Sequence, residues 1–131
     1  MKALIVDDDF TNRLLLQEIL KSYGSSHVAV NGKEAVEAVR ASLEEKEPYD
    51  LICLDIMMPE MDGQDALKSI RSLEEKAGIK LGKGSKIAMV TSVDDAKSII
   101  QAFREACEVF LVKPIDKSKL LKELRKMELI A

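Results

Sequence analysis

The sequence predicts an α/β fold, a doubly wound parallel sheet of five strands between two layers of helices, and three observations lead there. Five short apolar runs alternate with five segments of helical spacing. The runs show no polar alternation, as expected of parallel strands covered on both faces. The polar residues that interrupt the pattern, Asp7, Asp8, Asp55, Thr91 and Lys113, all fall where a strand should end.

Taken in order, the first strand is Ala3 to Val6, followed by a helical stripe of Leu15, Leu16, Ile19, Leu20 and Tyr23. Thr11 can cap that helix, with Phe10 and Leu15 at hydrophobic-staple positions, and Gly24 is its expected stop. Val28 to Val30 is the second strand, and Asn31 caps a helix carrying Ala35, Val36, Val39 and Leu43, which Pro48 should end. The third strand, Leu51 to Leu54, leads through Asp62 as cap to a stripe of Ala66, Leu67, Ile70 and Leu73, with Gly63 serving the turn between them. A long glycine-rich connection, residues 76–86, follows and is expected to be a surface insertion near the edge of the sheet that carries the site. Ile87 to Val90 is the fourth strand; Asp94 caps a helix with Ala96, Ile99, Ile100, Phe103 and Cys107. Val109 to Val112 is the fifth, and Asp116 caps a last helix with Leu120, Leu121, Leu124 and Met127. Right-handed crossovers between such units build one parallel sheet.

A chain of 131 residues with 47% hydrophobic content suits one domain with a real core. Twenty basic against 23 acidic residues leave a net charge of -3, which disfavours nucleic acid and acidic membrane surfaces as partners. Cys53 and Cys107 sit among apolar residues without metal-ligand spacing and read as buried reduced thiols. The apolar stretch before Asp7 is too short for a signal peptide or membrane span, so a soluble cytoplasmic setting is expected. Met57, Met58 and Met61 read as core and turn packing, and His27, the single histidine, as an ordinary polar site near the second strand. The basic residues of the last helix read as a solvated face.

In an open parallel sheet the carboxyl ends of the strands share one edge, and ligands bind there where the strand order reverses. If the first and third strands are neighbours, their backbones lie about 4.8 Å apart. The carboxylates of Asp7, Asp8 and Asp55 must then crowd together and require a cation or protonation. Oxygen-only ligands favour a hard divalent ion, and Mg2+ leaves room for waters and a phosphate oxygen. Lys113, on the far side of Asp55, supplies a fixed positive charge, and the Thr91 hydroxyl a hydrogen-bond donor. These are the parts that phosphoryl transfer to a carboxylate needs.

Four motifs in order, VDDDF, LDIMMPEMDG, MVTS and FLVKP, closely resemble the response-regulator receiver domains of two-component signalling, over essentially the whole chain. The resemblance implies the flavodoxin-like strand order 2-1-3-4-5 and makes Asp55 the acceptor of a phosphoryl group from a histidine kinase or phosphotransfer protein. It implies Mg2+ held by Asp8 directly, by Asp7 mostly through water, by Asp55 and by the backbone carbonyl of Met57. Thr91 and Lys113 would contact the phosphoryl group, Phe110 would change rotamer with Thr91 on activation, and the Lys113–Pro114 bond would be cis. Asp9 reads instead as a structural acid at the helix start.

No enzymatic turnover beyond the chemistry of Asp55 itself is expected. The positions two beyond Asp55 and Thr91 are Met57 and Val93, neither able to orient water, so slow self-hydrolysis is expected. Because the chain stops just past the last helix, output is expected through a surface, that of the helix over 96–107, the fifth strand and the last helix, toward a downstream protein or a homodimer. Two alternatives exist. A haloacid-dehalogenase-type phosphatase needs a second acid two residues after the nucleophile, where Met57 stands. A phosphate-independent pseudo-receiver should have lost one of Asp8, Asp55, Thr91 and Lys113, and all four are present.

Overall fold

The computed structural model describes residues 1–56, 58, 61, 63–80, 82–91 and 107–131. Five strands, β1 (Lys2–Val6), β2 (Ser25–Ala29), β3 (Leu51–Asp55), β4 (Lys86–Thr91) and β5 (Val109–Val112), form one parallel sheet in the order β2-β1-β3-β4-β5. Four helices are described with it, α1 (Phe10–Leu20), α2 (Gly32–Glu44), α3 (Gly63–Lys76) and α4 (Lys117–Lys126). The helix expected over 96–107, with its cap Asp94, and the cap Asp62 lie outside the described residues.

The alternation of the strands divides the core into two. Leu4, Val6, Ile52, Leu54, Ile87 and Met89 pack with Val36, Leu67 and Ile70 beneath α2 and α3. Ala3, Ile5, Leu51, Cys53, Ala88, Val90 and Leu111 pack with Leu16, Leu20, Leu120 and Leu124 beneath α1 and α4. β3 is buried along its whole length because it has neighbours on every side, which is why its sequence shows no alternation.

Three local expectations change. Asp9, not Thr11, caps α1: its carboxylate accepts the Thr11 N–H at 2.9 Å, and Phe10 becomes the first helical residue, exposed rather than a staple. A carboxylate at this position satisfies an orphan donor and opposes the helix dipole, which a threonine does less well. Leu15 is also exposed, since Leu16, Ile19 and Leu20 already fill the face toward the sheet. β2 lies earlier than the valines suggest, over a polar stretch. As an edge strand it needs only backbone pairing to β1, so hydrophobicity marks it poorly. Asn31 and Asp116 do cap α2 and α4.

The helix ends share one device. α2 stops at Glu44, before Pro48, and Lys46 turns the chain at φ 58° while Glu47 N–H reaches the Ser42 carbonyl and Lys46 N–H that of Leu43. Glu128, at φ 62°, closes α4 in the same way, and Gly78, at φ 83°, closes α3. This is the paired hydrogen-bond pattern of a left-handed helix stop.

The connection after α3 runs at the amino-terminal edge of the sheet, because it leads into Lys86, the first residue of β4. It is therefore remote from the edge that carries Asp55, contrary to expectation. It is anchored there by buried polar groups. Glu74 pairs with Arg71 at 2.7 Å and accepts the Ser85 N–H at 2.7 Å. Arg71 also reaches Glu108 at 3.1 Å, which takes the Ile87 N–H at 2.6 Å, and the Ser85 hydroxyl donates to the Tyr49 carbonyl.

A non-glycine residue in the left-handed region costs about 1–2 kcal/mol, part of which glycine returns through its looser unfolded chain. Lys46→Gly and Glu128→Gly are therefore each expected to stabilise the protein by about 0.5–1 kcal/mol, read as a higher urea midpoint at constant m-value, and Gly78→Ala to destabilise it.

Candidate functional site

The site grows out of strand register. β1 and β3 pair from Ala3↔Leu51 to Val6↔Leu54, so Asp7 and Asp55 come level at the next step. Continuing the alternation of Ile5 and Cys53, both lie on the face covered by α1 and α4. Both are nearly sealed, Asp7 at 2% and Asp55 at 3% exposure, while Asp8 is exposed. The three carboxylates offer oxygens that all lie within 4.8 Å of one another.

Lys113, the first residue after β5, answers that charge. Its backbone N–H donates to the Thr91 carbonyl at 2.8 Å, fixing where its side chain starts. Its ammonium lies 3.3 Å from Asp55 Oδ2 and 3.5 Å from Asp7 Oδ2. It bridges the two buried acids rather than standing only beyond Asp55, because β1 and β3 are neighbours and their carboxylates converge. Burial pushes the ammonium down, but Asp55 and then Asp7 together outweigh that and hold its pKa above the ordinary value. Among the described residues, one lysine against three carboxylates leaves the cluster net negative.

Two further supports hold the acids, and neither was legible in the motifs. Asp7 Oδ1 accepts the Asp9 N–H at 2.9 Å, and the Asp7 carbonyl accepts from Arg13 Nη1 at 2.8 Å. Gly63 begins α3 against the backbone of β3: its N–H donates to the Ile56 carbonyl at 2.9 Å, and a Cβ at this position would lie 2.3 Å from the Asp55 carbonyl oxygen. Any side chain here must push the strand end that carries Asp55. The spacing of Arg13 four residues after its Asp9 cap was the available signal for the first; nothing short of the fold reveals the second.

Thr91 ends β4, buried at 1%, one residue beyond the Asp55↔Val90 pair. Phe110, partly buried, opposes Met89 across β4 and β5 and packs into the core under α2 and α3. Thr91 lies two residues after Met89, so Thr91 and Phe110 share one face of the sheet as diagonal neighbours. The Lys113–Pro114 bond is cis, as expected. Met57, the expected carbonyl ligand, and Val93 lie outside the described residues. Cys53 and Cys107 are free and buried, and burial raises their thiols to about 12 and about 11, values that make them inert at neutral pH. His27 is tied to the Tyr49 hydroxyl at 2.8 Å.

Three oxygen donors, two of them shielded from water and net negative after pairing, suit a hard divalent cation; with oxygens alone and no sulfur or imidazole, the set fits Mg2+ better than a softer metal. Asp55 has an ammonium on one side and acids on the other, which is how a carboxylate nucleophile for a phosphoryl group should be flanked.

Comparison with known proteins points the same way. The family model described as response regulator receiver domain matches residues 3–125. The chemotaxis protein CheY of Thermotoga maritima is 33% identical over 128 residues, covering 96% of each chain. Hybrid signal transduction histidine kinase B of Dictyostelium discoideum is 37% identical across 98% of this chain, which spans only 7% of that protein. Among solved structures, the receiver domain of the Arabidopsis thaliana histidine kinase CKI1 complexed with Mg2+ and BeF3- superposes with a TM-score of 0.79 at 30% identity, covering 97% of this chain and 89% of that one.

Among the described residues no hydrogen bond offsets the charge of the Asp8 carboxylate, so Asp8→Asn is expected to raise the metal-free melting midpoint by about 2–4 °C through relieved repulsion while abolishing stabilisation by Mg2+; calorimetric scans with and without the cation check both. The raised pKa of Lys113 fixes a second outcome. Its folded value exceeds the ordinary 10.5, so its contribution is fully present below that pH and is lost as pH climbs through the folded value. The stability difference between the parent and Lys113→Met should therefore be constant at neutral pH and shrink in the alkaline range.

Proposed function

The chain belongs to the response regulator receiver domain family, and from that premise we propose that it accepts a phosphoryl group on Asp55 from the phosphohistidine of a histidine kinase or phosphotransfer protein. The observation that carries this reading is the carboxylate of Asp55, sealed at 3% exposure, sharing one lysine with Asp7 inside a cluster of oxygens that fits Mg2+.

In this reading an Asp55 Oδ attacks phosphorus in line, the phosphorus–nitrogen bond to the donor imidazole breaks, and a phosphorus–oxygen bond to Asp55 forms; the departing imidazole retains the electron pair. Asp8, Asp7 and Asp55 would hold Mg2+, with the Met57 carbonyl as the further ligand that the family resemblance implies, and the ion would supply positive charge against acid–acid repulsion and the charge that develops on the phosphoryl oxygens. Lys113 leaves the carboxylate oxygens it now bridges for the new oxyanion, and Thr91 donates its hydroxyl to a second phosphoryl oxygen. The chain acts on nothing but its own Asp55, so it is a signalling partner rather than a turnover enzyme.

Output passes through contacts. As Thr91 moves toward the phosphoryl group it vacates space beside Phe110, on the face they share, and this biases the surface of β5, α4 and the segment expected from its sequence to be helical over 96–107 toward a downstream protein or a homodimer. Met57 and Val93 leave no polar side chain to orient a hydrolytic water, so the acyl phosphate is long-lived. The buried free thiols suit a reducing, cytoplasmic compartment.

Incubation with Mg2+ and a small phosphodonor should add one phosphoryl group by mass spectrometry, absent from Asp55→Asn and from chelated samples. Labelling that persists in Asp55→Asn would refute the assignment. Replacing Met57 by glutamate should shorten the phosphoprotein lifetime, measured by decay of the label.

A further inference from the structure

We propose that Arg13 is a positioning residue of the metal site, a cation that strengthens the binding of another cation. The inference rests on the reading of Asp7, Asp8 and Asp55 as the Mg2+ ligands. Arg13 stands one turn into α1 beside three consecutive acids, yet its guanidinium forms no ion pair with any of them. It donates instead to the backbone carbonyl of Asp7, at 2.8 Å. That carbonyl belongs to the peptide unit joining Asp7 to Asp8, so the bond sets the plane from which both side chains depart. The next peptide, joining Asp8 to Asp9, is held by the Asp9 N–H to Asp7 Oδ1 at 2.9 Å. Both peptides flanking Asp8 are thereby clamped, whereas the Asp8 carboxylate itself is exposed and no hydrogen bond among the described residues places it. Its aim depends on the backbone alone, and Arg13 supplies half of that constraint.

Phe10 completes the device. It is 66% exposed, an unusual place for a large aromatic ring, and it lies against the guanidinium with Arg13 Cζ 5.7 Å from the ring centroid. The ring lies beside the guanidinium and shields part of it from water. This accounts for an apolar residue that the core does not use.

Charge and position make opposite demands, which gives the inference a decisive sign. If Arg13 acted through its charge, removing it would lower the local positive potential and tighten Mg2+ binding. If it acts by fixing the Asp7–Asp8 peptide, removing it loosens the site, and the loss of an outer-shell partner typically weakens metal binding by about 10–100-fold.

The test is titration of the full chain with Mg2+ followed by isothermal calorimetry and amide shifts, with urea midpoints measured without Mg2+. Arg13→Met keeps the apolar stem over Phe10 and removes every donor; it is expected to bind Mg2+ about tenfold more weakly. Arg13→Lys, with one donor able to reach the Asp7 carbonyl, should recover most of the affinity. Binding by Arg13→Met equal to or tighter than the parent overturns the inference, as does a failure of Arg13→Lys to improve on Arg13→Met. Should Arg13→Met not fold, Phe10→Leu carries the test: weaker binding supports the clamp, and unchanged binding overturns it. A parent chain that binds no Mg2+ would sink the reading of the site as well, so the two failures are distinct.

Discussion

Three carboxylates held within a few ångströms of one another are the constraint around which the rest of the molecule is arranged. Such a cluster opposes folding, and it persists only because the scaffold gives its members no way to separate. Asp7 and Asp55 are level because β1 and β3 are in register and both strands are buried along their length. Separating them would mean breaking a ladder at the centre of the sheet. Lys113 can offset part of the repulsion only because β5 ends where Thr91 can tether it. The remaining repulsion is of the kind that a divalent cation at such a cluster would relieve.

The opposite edge of the sheet shows a contrasting solution to a similar problem. Glu74 is as buried as Asp7 and Asp55, but Arg71 and the Ser85 N–H satisfy it within the protein. Arg71 is shared by Glu74 and Glu108, backbone N–H groups satisfy both carboxylates, and the connection is stapled to the start of β4. One edge of the sheet thus meets its acids with backbone donors and an arginine, whereas the other gathers three carboxylates around a lysine. This asymmetry separates a structural ion network from a functional one better than burial or charge does.

Much of this was legible in the amino-acid sequence because it depends on period and punctuation. The apolar runs over Leu51 to Leu54 and Ile87 to Val90 could only be covered strands, and polar residues at their ends marked the edge where Asp55, Thr91 and Lys113 meet. What was not legible depends on backbone geometry. Nothing in the composition of residues 25–29 marks β2, since an edge strand is specified by its partner's hydrogen bonds. The cap of α1 was misplaced by two residues because Thr11 and Asp9 are both good caps and only the dihedral angles of Asp9 decide between them. The connection after α3 was placed near the wrong edge although the parallel order already decides it: a link from a helix into the first residue of a strand lies at the amino-terminal edge. Gly63 was read as a turn residue, whereas its role is to let α3 approach the Asp55 carbonyl.

The division of the core by the sheet has a wider consequence. Asp7 and Asp55 belong to the layer under α1 and α4, whereas Phe110 and its diagonal neighbour Thr91 belong to the layer under α2 and α3. In the proposed reading the acceptor and the switch would therefore occupy opposite sides of one wall, with Thr91, at the end of β4, serving both. The two layers meet where the Lys113 N–H donates to the Thr91 carbonyl, so a backbone bond at the sheet's edge ties a residue facing one layer to a residue facing the other.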